Sequence, residues 1–485
     1  MYAASVKKVR RELLQTTAKL ALPILLTALL LPLCSCNRKA DARTEDGRVI
    51  VQYWEKWTGF EDDAMQAVVD DFNASQNRIF VKKLAGIGQI ERKLMLATAG
   101  GDPPDVAGVW PQTIPGFCEK GALTPLDKFI REAGIKREDY IPVYWDLCSH
   151  HGFMWALPAT PTSLALHWNK KLFREAGLDP DRPPQSLDEF ERMSEQLTIV
   201  ELKGRRIRYP DLSDAEKKAK EFKLVQVGHD PQQPGWWMPM WVYWFGGKLC
   251  DGHRRITANS PEFMEMFGWL QSQPQKYGVD NRRGFGASFG NFQSPQNPFL
   301  SDQIAMTLQG VWMYNFIDKF APQMEWGVAP FPAKDPKAHP LVTIVDADVL
   351  AIPKGARHPR EAFEFIRYVN TQKPMEKLCL GQRKFSPLMK VSEEFMRNHP
   401  NPHIKTFLEL ARSPDAQHVP RIPIWSEYND EMNVAIDRIM ALTATPPQAL
   451  DAVENRLQWK MDRVINRWDA VKERRLKEWN EYDPR

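Results

Sequence analysis

The chain has 485 residues, six cysteines and a formal net charge of +4. Residues 1–35 hold five basic side chains (Lys7, Lys8, Arg10, Arg11, Lys19) against one acidic (Glu12), an excess equal to that of the whole chain. The remainder is near neutral, which removes the basic footprint of a nucleic-acid binder, and at roughly 450 residues it exceeds one comfortable core, so two lobes are expected.

The basic segment precedes an apolar run from Leu20 to Leu33. The run is short for a membrane span and has the proportions of a secretory signal; a single uncleaved membrane helix is the alternative. It ends in Leu33-Cys34-Ser35-Cys36, which resembles a bacterial lipobox, although Cys34 stands where a small aliphatic or hydroxyl residue is usual. The resemblance makes Cys36 the lipidated N-terminus of an exported protein held on a membrane face by acyl chains. Residues 36–46 are polar and read as a tether.

Val49 to Tyr53 reads as a buried strand, followed by a helix with Met65, Val68, Val69 and Phe72 on one face. A second strand at Ile79 to Val81, a helix from Lys93 to Ala99 and a third strand from Asp105 to Trp110 continue the alternation. This pattern predicts a mostly parallel sheet with helices on both faces and a ligand crevice beyond the strand ends. Residues 200–224, charged with both signs, read as a solvated helical excursion, and Gly284 to Pro298 as a long loop able to reach a ligand. From Trp236 to Phe245, six of ten side chains are aromatic. Such density plugs a core or floors a cleft for a ligand with flat apolar faces and polar edges, as sugars have. Thr445, Pro446 and Pro447 start a C-terminal helix whose apolar face is Ala449, Leu450, Val453, Leu457, Val464 and Trp468, with an exposed charged continuation. Cys118, Cys148, Cys250 and Cys379 lack metal-ligand spacing and are either disulfide-bonded or buried thiols.

Ala97-Thr-Ala-Gly-Gly-Asp-Pro-Pro-Asp105-Val, Gly121-Ala-Leu-Thr-Pro-Leu-Asp127, Trp168-Asn-Lys-Lys-Leu-Phe173 and Pro183-Pro-Gln-Ser-Leu-Asp-Glu189 occur in that order. Ala305-Met-Thr-Leu-Gln-Gly310-Val-Trp312, Trp326-Gly-Val-Ala-Pro330 and Ala351-Ile-Pro-Lys-Gly355 follow. Together they resemble the extracellular solute-binding proteins of sugar ABC transporters, the maltose-binding protein being the familiar member, over about residues 47 to 460. The resemblance implies a two-lobed α/β fold of the periplasmic-binding-protein type II class, with an inter-lobe cleft and crossover hinge. It implies a monomer without cofactor or catalysis that captures a carbohydrate and delivers it to ABC permease subunits. A lipoprotein that senses solute without transport, and an extracellular glycoside hydrolase using Glu55, Asp348 and Glu427, are the rivals.

On this reading residues 1–35 are the signal, 36–46 the tether, 47–159 and 329–374 the first lobe, and 160–328 and 375–485 the second. Crossings are expected at Pro158 to Thr162, in a Thr-rich turn, at Ala329 to Pro332, and at Thr371 to Lys377. The resemblance carries ligand stacking most directly to Trp110, Trp312 and Trp425. Trp54, Glu55 and Trp57 follow the first strand, and Trp236 and Trp237 are better placed for the cleft than Trp241 and Trp244, which read as core. Asp346 and Asp348 share one face of a strand and either touch ligand or form an ion pair with a partner such as Arg383. Arg383 and Lys384 precede Ser386-Pro387, a loop that approaches the cleft in the family; a basic residue there suggests an acidic sugar.

Overall fold

A computed structural model describes residues 43–252 and 254–483. The signal segment, Cys36 and most of the tether lie outside the described residues. The chain divides into Met1–Ile50 and Val51–Arg485. In the first unit, described from Arg43, a turn pairs Arg43 with Val49 antiparallel.

The alternation read in the sequence is present: β1 (Val49–Trp54), α1 (Phe60–Ser75), β2 (Ile79–Leu84), α2 (Ile90–Ala99) and β3 (Val106–Val109). After α3 (Ile114–Glu119), the short strands β4 (Ser149–His150) and β5 (Phe153–Met154) pair as a hairpin. Then β6 (Ala156–Asn169) runs fourteen residues, every one buried. The expected turn at Pro158 to Thr162 is therefore a continuous strand. Its prolines are tolerated next to a register shift opposite Asp348 and Val349, where the ladder is interrupted.

The first half of β6 pairs with β12 (Thr343–Ala351), and its second half with β10 (Met306–Gly310) and β11 (Trp326–Ala329). The sheet order is β10-β6-β12-β3-β1-β2, with β11 also on β6 and β13 (Ala416–Gln417) on β12. β1 and β3 are parallel, but β12 runs antiparallel to both β3 and β6, so the sheet is mixed where a mostly parallel one was expected. The reason is that β12 re-enters from the opposite direction as a returning strand. Asp105, before β3, accepts backbone N–H bonds from Gln52, Arg357 and His358, each at 2.9 Å, which ties the strand to its neighbours.

Residues 200–224 form a small sheet, β7 (Ile199–Leu202), β8 (Arg205–Arg208) and β9 (Lys223–Gln226), where a helical excursion was expected. Val200 and Leu202 alternate with exposed charged residues, and Lys203-Gly204, both at positive φ, make the two-residue hairpin turn. Only Asp214–Ala219 is α-helical, after a 3₁₀ turn at Tyr209–Asp211. The Gly284 to Pro298 stretch begins inside α4 (Val279–Gly286) and continues as loop.

Two large apolar cores organise the chain. One gathers β1, β3, α1, the first half of β6, α5 (Pro359–Val369) and α6 (Gln372–Gln382). The other gathers the second half of β6, β10, the 3₁₀ helix Met238–Phe245 and α7 (Trp425–Met440). Trp241 and Trp244 are buried in the second core, as expected. Met375 to Ala411 pack into the first core and Val419 to Met461 into the second, so the change of core falls after Ala411 and not near 375.

The C-terminal helix α8 (Pro446–Asn480) carries a Thr445–Gln448 capping box. Ala449 to Met461 enter the second core, whereas Trp479 enters the first with Trp468, Leu476 and Tyr482 against it. The tail is thus docked, because Trp479 packs edge-on against Trp155 at 4.7 Å and Phe153 at 5.4 Å. The four cysteines are unbonded. No helix among the described residues is long and apolar enough to cross a membrane.

Candidate functional site

A cavity of about 670 Å³ opens at the carboxyl ends of β1 and β3, and its wall includes residues of both cores. That volume is within the range of about 300–1,000 Å³ common for small-molecule sites. From the loop after β1 come Lys56 and Trp57, from the end of β3 Trp110, from β6 Thr162 and Leu164, and from β12 Asp346 to Asp348. Trp236, Trp237, Phe292, Gln293, Trp312, Phe316 and Trp425 face them.

The rings form a continuous apolar surface. Trp236, half exposed at 52%, meets Phe292 at 4.8 Å, Trp237 at 5.6 Å and Trp312 at 6.2 Å. Phe292 continues to Phe316 at 5.2 Å, and Trp425 stacks on Tyr428 at 5.7 Å. Gly310, which ends β10, is needed for this: a Cβ there would lie 2.3 Å from the Trp312 ring, so only glycine lets the indole lie flat over the backbone. Trp312, Thr162 and Gln112 line the same cavity, and Trp312 Nε1, Thr162 Oγ1 and Gln112 Oε1 are buried with no hydrogen-bond partner among the described residues. Such atoms are costly unless something bonds to them.

The opposite wall is charged. Lys56 Nζ lies 2.8 Å from Asp348 and 3.3 Å from Glu55, and sits 5.1 and 5.0 Å from the ring centres of Trp57 and Trp110. Lys384 reaches Glu61 at 2.8 Å and Asp348 at 3.5 Å, and Thr160 Oγ1 donates to Asp348 at 3.1 Å. Burial alone would lower the Lys56 pKa, but Asp348 and Glu55 raise it above the ordinary lysine value. Burial likewise opposes the Asp348 charge, yet Lys56 and Lys384 hold its pKa below the usual carboxylate range. Among the described residues Asp346 accepts only the Ala347 N–H, at 2.8 Å; withdrawal from water, with the Asp348 charge adding to it, pushes its pKa up to about 7.

Of the residues singled out in the sequence, Trp57, Trp110, Trp236, Trp237, Trp312, Asp346, Asp348 and Trp425 meet at this cavity. Trp54 ends β1 and does not line it. Glu55 is fully buried beneath the wall, where it accepts hydrogen bonds from the Tyr53 hydroxyl and the Lys56 N–H. Arg383 is turned away: it sits at φ 56 after α6, pairs with Asp318 and lies over Tyr314. The partner of Asp348 is therefore the lysine pair and not Arg383. Lys56, Thr162, Gln112 and Phe292 were not singled out, although Phe292 lies inside the loop flagged as able to reach a ligand; Lys384, named with Arg383 as a basic residue of the loop before Ser386-Pro387, is the one of that pair that lines the cavity.

A family model described as bacterial extracellular solute-binding protein matches residues 61–376. The multiple sugar-binding protein of Streptococcus mutans serotype c is 21% identical over 355 residues, 71% of this chain and 76% of that one. Among solved structures, CpMnBP1 with mannotriose bound aligns with a TM-score of 0.70 at 23% identity, covering 84% of this chain and 99% of that one. An ABC substrate-binding protein from Listeria monocytogenes in complex with cycloalternan gives 0.67 at 19% identity, covering 85% and 99%. These likenesses carry the two-lobed α/β fold across both cores. The chain belongs to the bacterial extracellular solute-binding protein family.

Proposed function

We propose that the protein is the substrate-binding component of an ABC importer, capturing a mono- or oligosaccharide in the aromatic cleft and handing it to membrane permease subunits. The carrying observation is the pairing of flat indole faces with unpartnered buried polar atoms, Trp312 Nε1, Thr162 Oγ1 and Gln112 Oε1. A sugar ring offers an apolar face to the first and hydroxyls to the second. The names and bound ligands of the relatives, multiple sugars, mannotriose and cycloalternan, favour the same class.

The lobes close about β6, β12 and the segment between Ala411 and Val419, and a ligand touching both walls favours the closed state by its differential affinity. The reading is of a monomeric lipoprotein, exported by residues 1–35 and anchored through Cys36. The reading has no catalytic step: of Glu55, Asp348 and Glu427, only Asp348 lines the cleft, Glu427 being exposed and Glu55 enclosed, and Asp348 is engaged by Lys56 and Lys384, which disfavours the hydrolase.

The test is titration of the purified protein with mono- and oligosaccharides, followed by tryptophan fluorescence and melting temperature. One sugar class gives a saturable signal, and at a hundredfold excess over Kd stabilises the fold by about 2.7 kcal/mol. Trp312→Ala abolishes both effects while remaining folded. Silence across the panel would sink the carbohydrate assignment.

A further inference from the structure

Away from the cleft, a cavity of about 560 Å³ is bordered by Glu119 at the end of α3, by His150 and His151 of the β4–β5 hairpin, and by α8. Consecutive side chains on an extended strand point to opposite faces. Here His151 has φ 52, and this turn swings its ring to the side of His150, with the two ring centres 3.9 Å apart.

Both imidazoles aim at one atom: Nε2 of His150 and Nε2 of His151 each lie 3.5 Å from Glu119 Oε1. That is long for a charge-assisted hydrogen bond, which settles near about 2.7–2.9 Å. The His150 Nε2 is buried without a hydrogen-bond partner. The spacing does match the edge of a coordination tetrahedron. With ligands about 2.0–2.1 Å from the ion, neighbouring donors stand roughly 3.4 Å apart.

The surroundings hold the donors in place. The His151 ring lies flat on Trp468 at 4.0 Å, and the Trp155 indole N–H fixes the His150 carbonyl at 3.0 Å; both orient the donors. The nearby cations have other partners. Arg421 donates to the Asp146 and Ser149 carbonyls, and Arg254 and Lys472 pair with Asp469.

We infer that Glu119, His150 and His151 form a binding site for Zn²⁺ or a neighbouring divalent transition-metal ion, with its fourth position open to the cavity. Two imidazoles and one carboxylate are a donor set that such ions take. None of the three residues lines the aromatic cleft, so the site stands independently of the sugar assignment.

The test uses the tag-free, full-length protein stripped by chelator. Competition against a chromophoric chelator is expected to give one Zn²⁺ per chain with a submicromolar Kd, and Co²⁺ a visible absorption band of low-symmetry coordination. Glu119→Gln and His151→Asn, the latter because Asn tolerates positive φ, each lose the band and weaken Zn²⁺ binding more than about 100-fold, beyond the loss of a mere supporting partner. Their far-ultraviolet circular dichroism and melting temperature, followed in parallel, report that each variant is folded. Absence of stoichiometric Zn²⁺ at 10 μM in the parent protein (about −6.8 kcal/mol on the standard affinity scale), or unchanged affinity in both variants, overturns the inference.

Discussion

Asp348 bridges two lysines, and its removal would leave each with a single carboxylate, Glu55 for Lys56 and Glu61 for Lys384. Lys56 and Lys384 are 6% and 4% exposed, so Asp348→Ala removes a hydrogen-bonded charge from a buried network. A loss of about 1–3 kcal/mol is expected in urea unfolding at pH 7, and unchanged stability would show that the remaining carboxylates suffice. Asp346 behaves oppositely. Its folded pKa, about 7, stands above the ordinary 3.8, so its contribution is complete below about pH 4 and is lost as pH rises through 7. Asp346→Asn should therefore match the parent at pH 4 and exceed it by ~1–3 kcal/mol at pH 8; parallel stability curves across that range would refute the assignment. The tryptophans of the cleft were legible in the sequence because large rings following strands have few places to go. The polar residues were not, since a side chain's direction depends on one backbone angle. Arg383 and Lys384 are neighbours, yet φ 56 at Arg383 sends one outward to Asp318 and the other inward to Asp348.

The cleft also depends on how its elements end. β10 stops at Gly310 so that the Trp312 ring can lie over the backbone. Gly310→Ala should tilt that ring and weaken sugar binding at least tenfold, about 1.4 kcal/mol, with little change in melting temperature; binding at parental strength would mean the indole is not a stacking surface. Helices and strands with a single strong period, such as α1 with Met65, Val68, Val69 and Phe72, were readable from spacing. The 200–224 segment was not, because its buried set, Val200, Leu202, Tyr209, Leu212, Phe222 and Leu224, is scattered among many charges, and Tyr277 and Phe285, distant in sequence, complete its small core. Fold class was thus accessible from local pattern, while the excursion needed contacts that no window contains.

Across the whole molecule, the binding proposal requires the two walls of the cleft to approach one another when sugar enters. Solution scattering should register a fall in radius of gyration on saturation, and tight binding at constant radius would exclude closure. The point at which the chain passes from the first core to the second was misplaced from sequence for a physical reason. α6 is apolar on one face, but nothing in that face says which of two cores will receive it, and Met375, Leu378 and Cys379 in fact join the first. The helix α8 is fastened in the second core by Leu450 to Met461 and in the first by Trp479. A stiff rod about 50 Å long, pinned near both ends, restrains twisting that flexible crossovers alone would allow. On the binding proposal, the jaws then open as a calliper does, along one coordinate, and a ligand is selected by the span it fills as well as by the groups it presents.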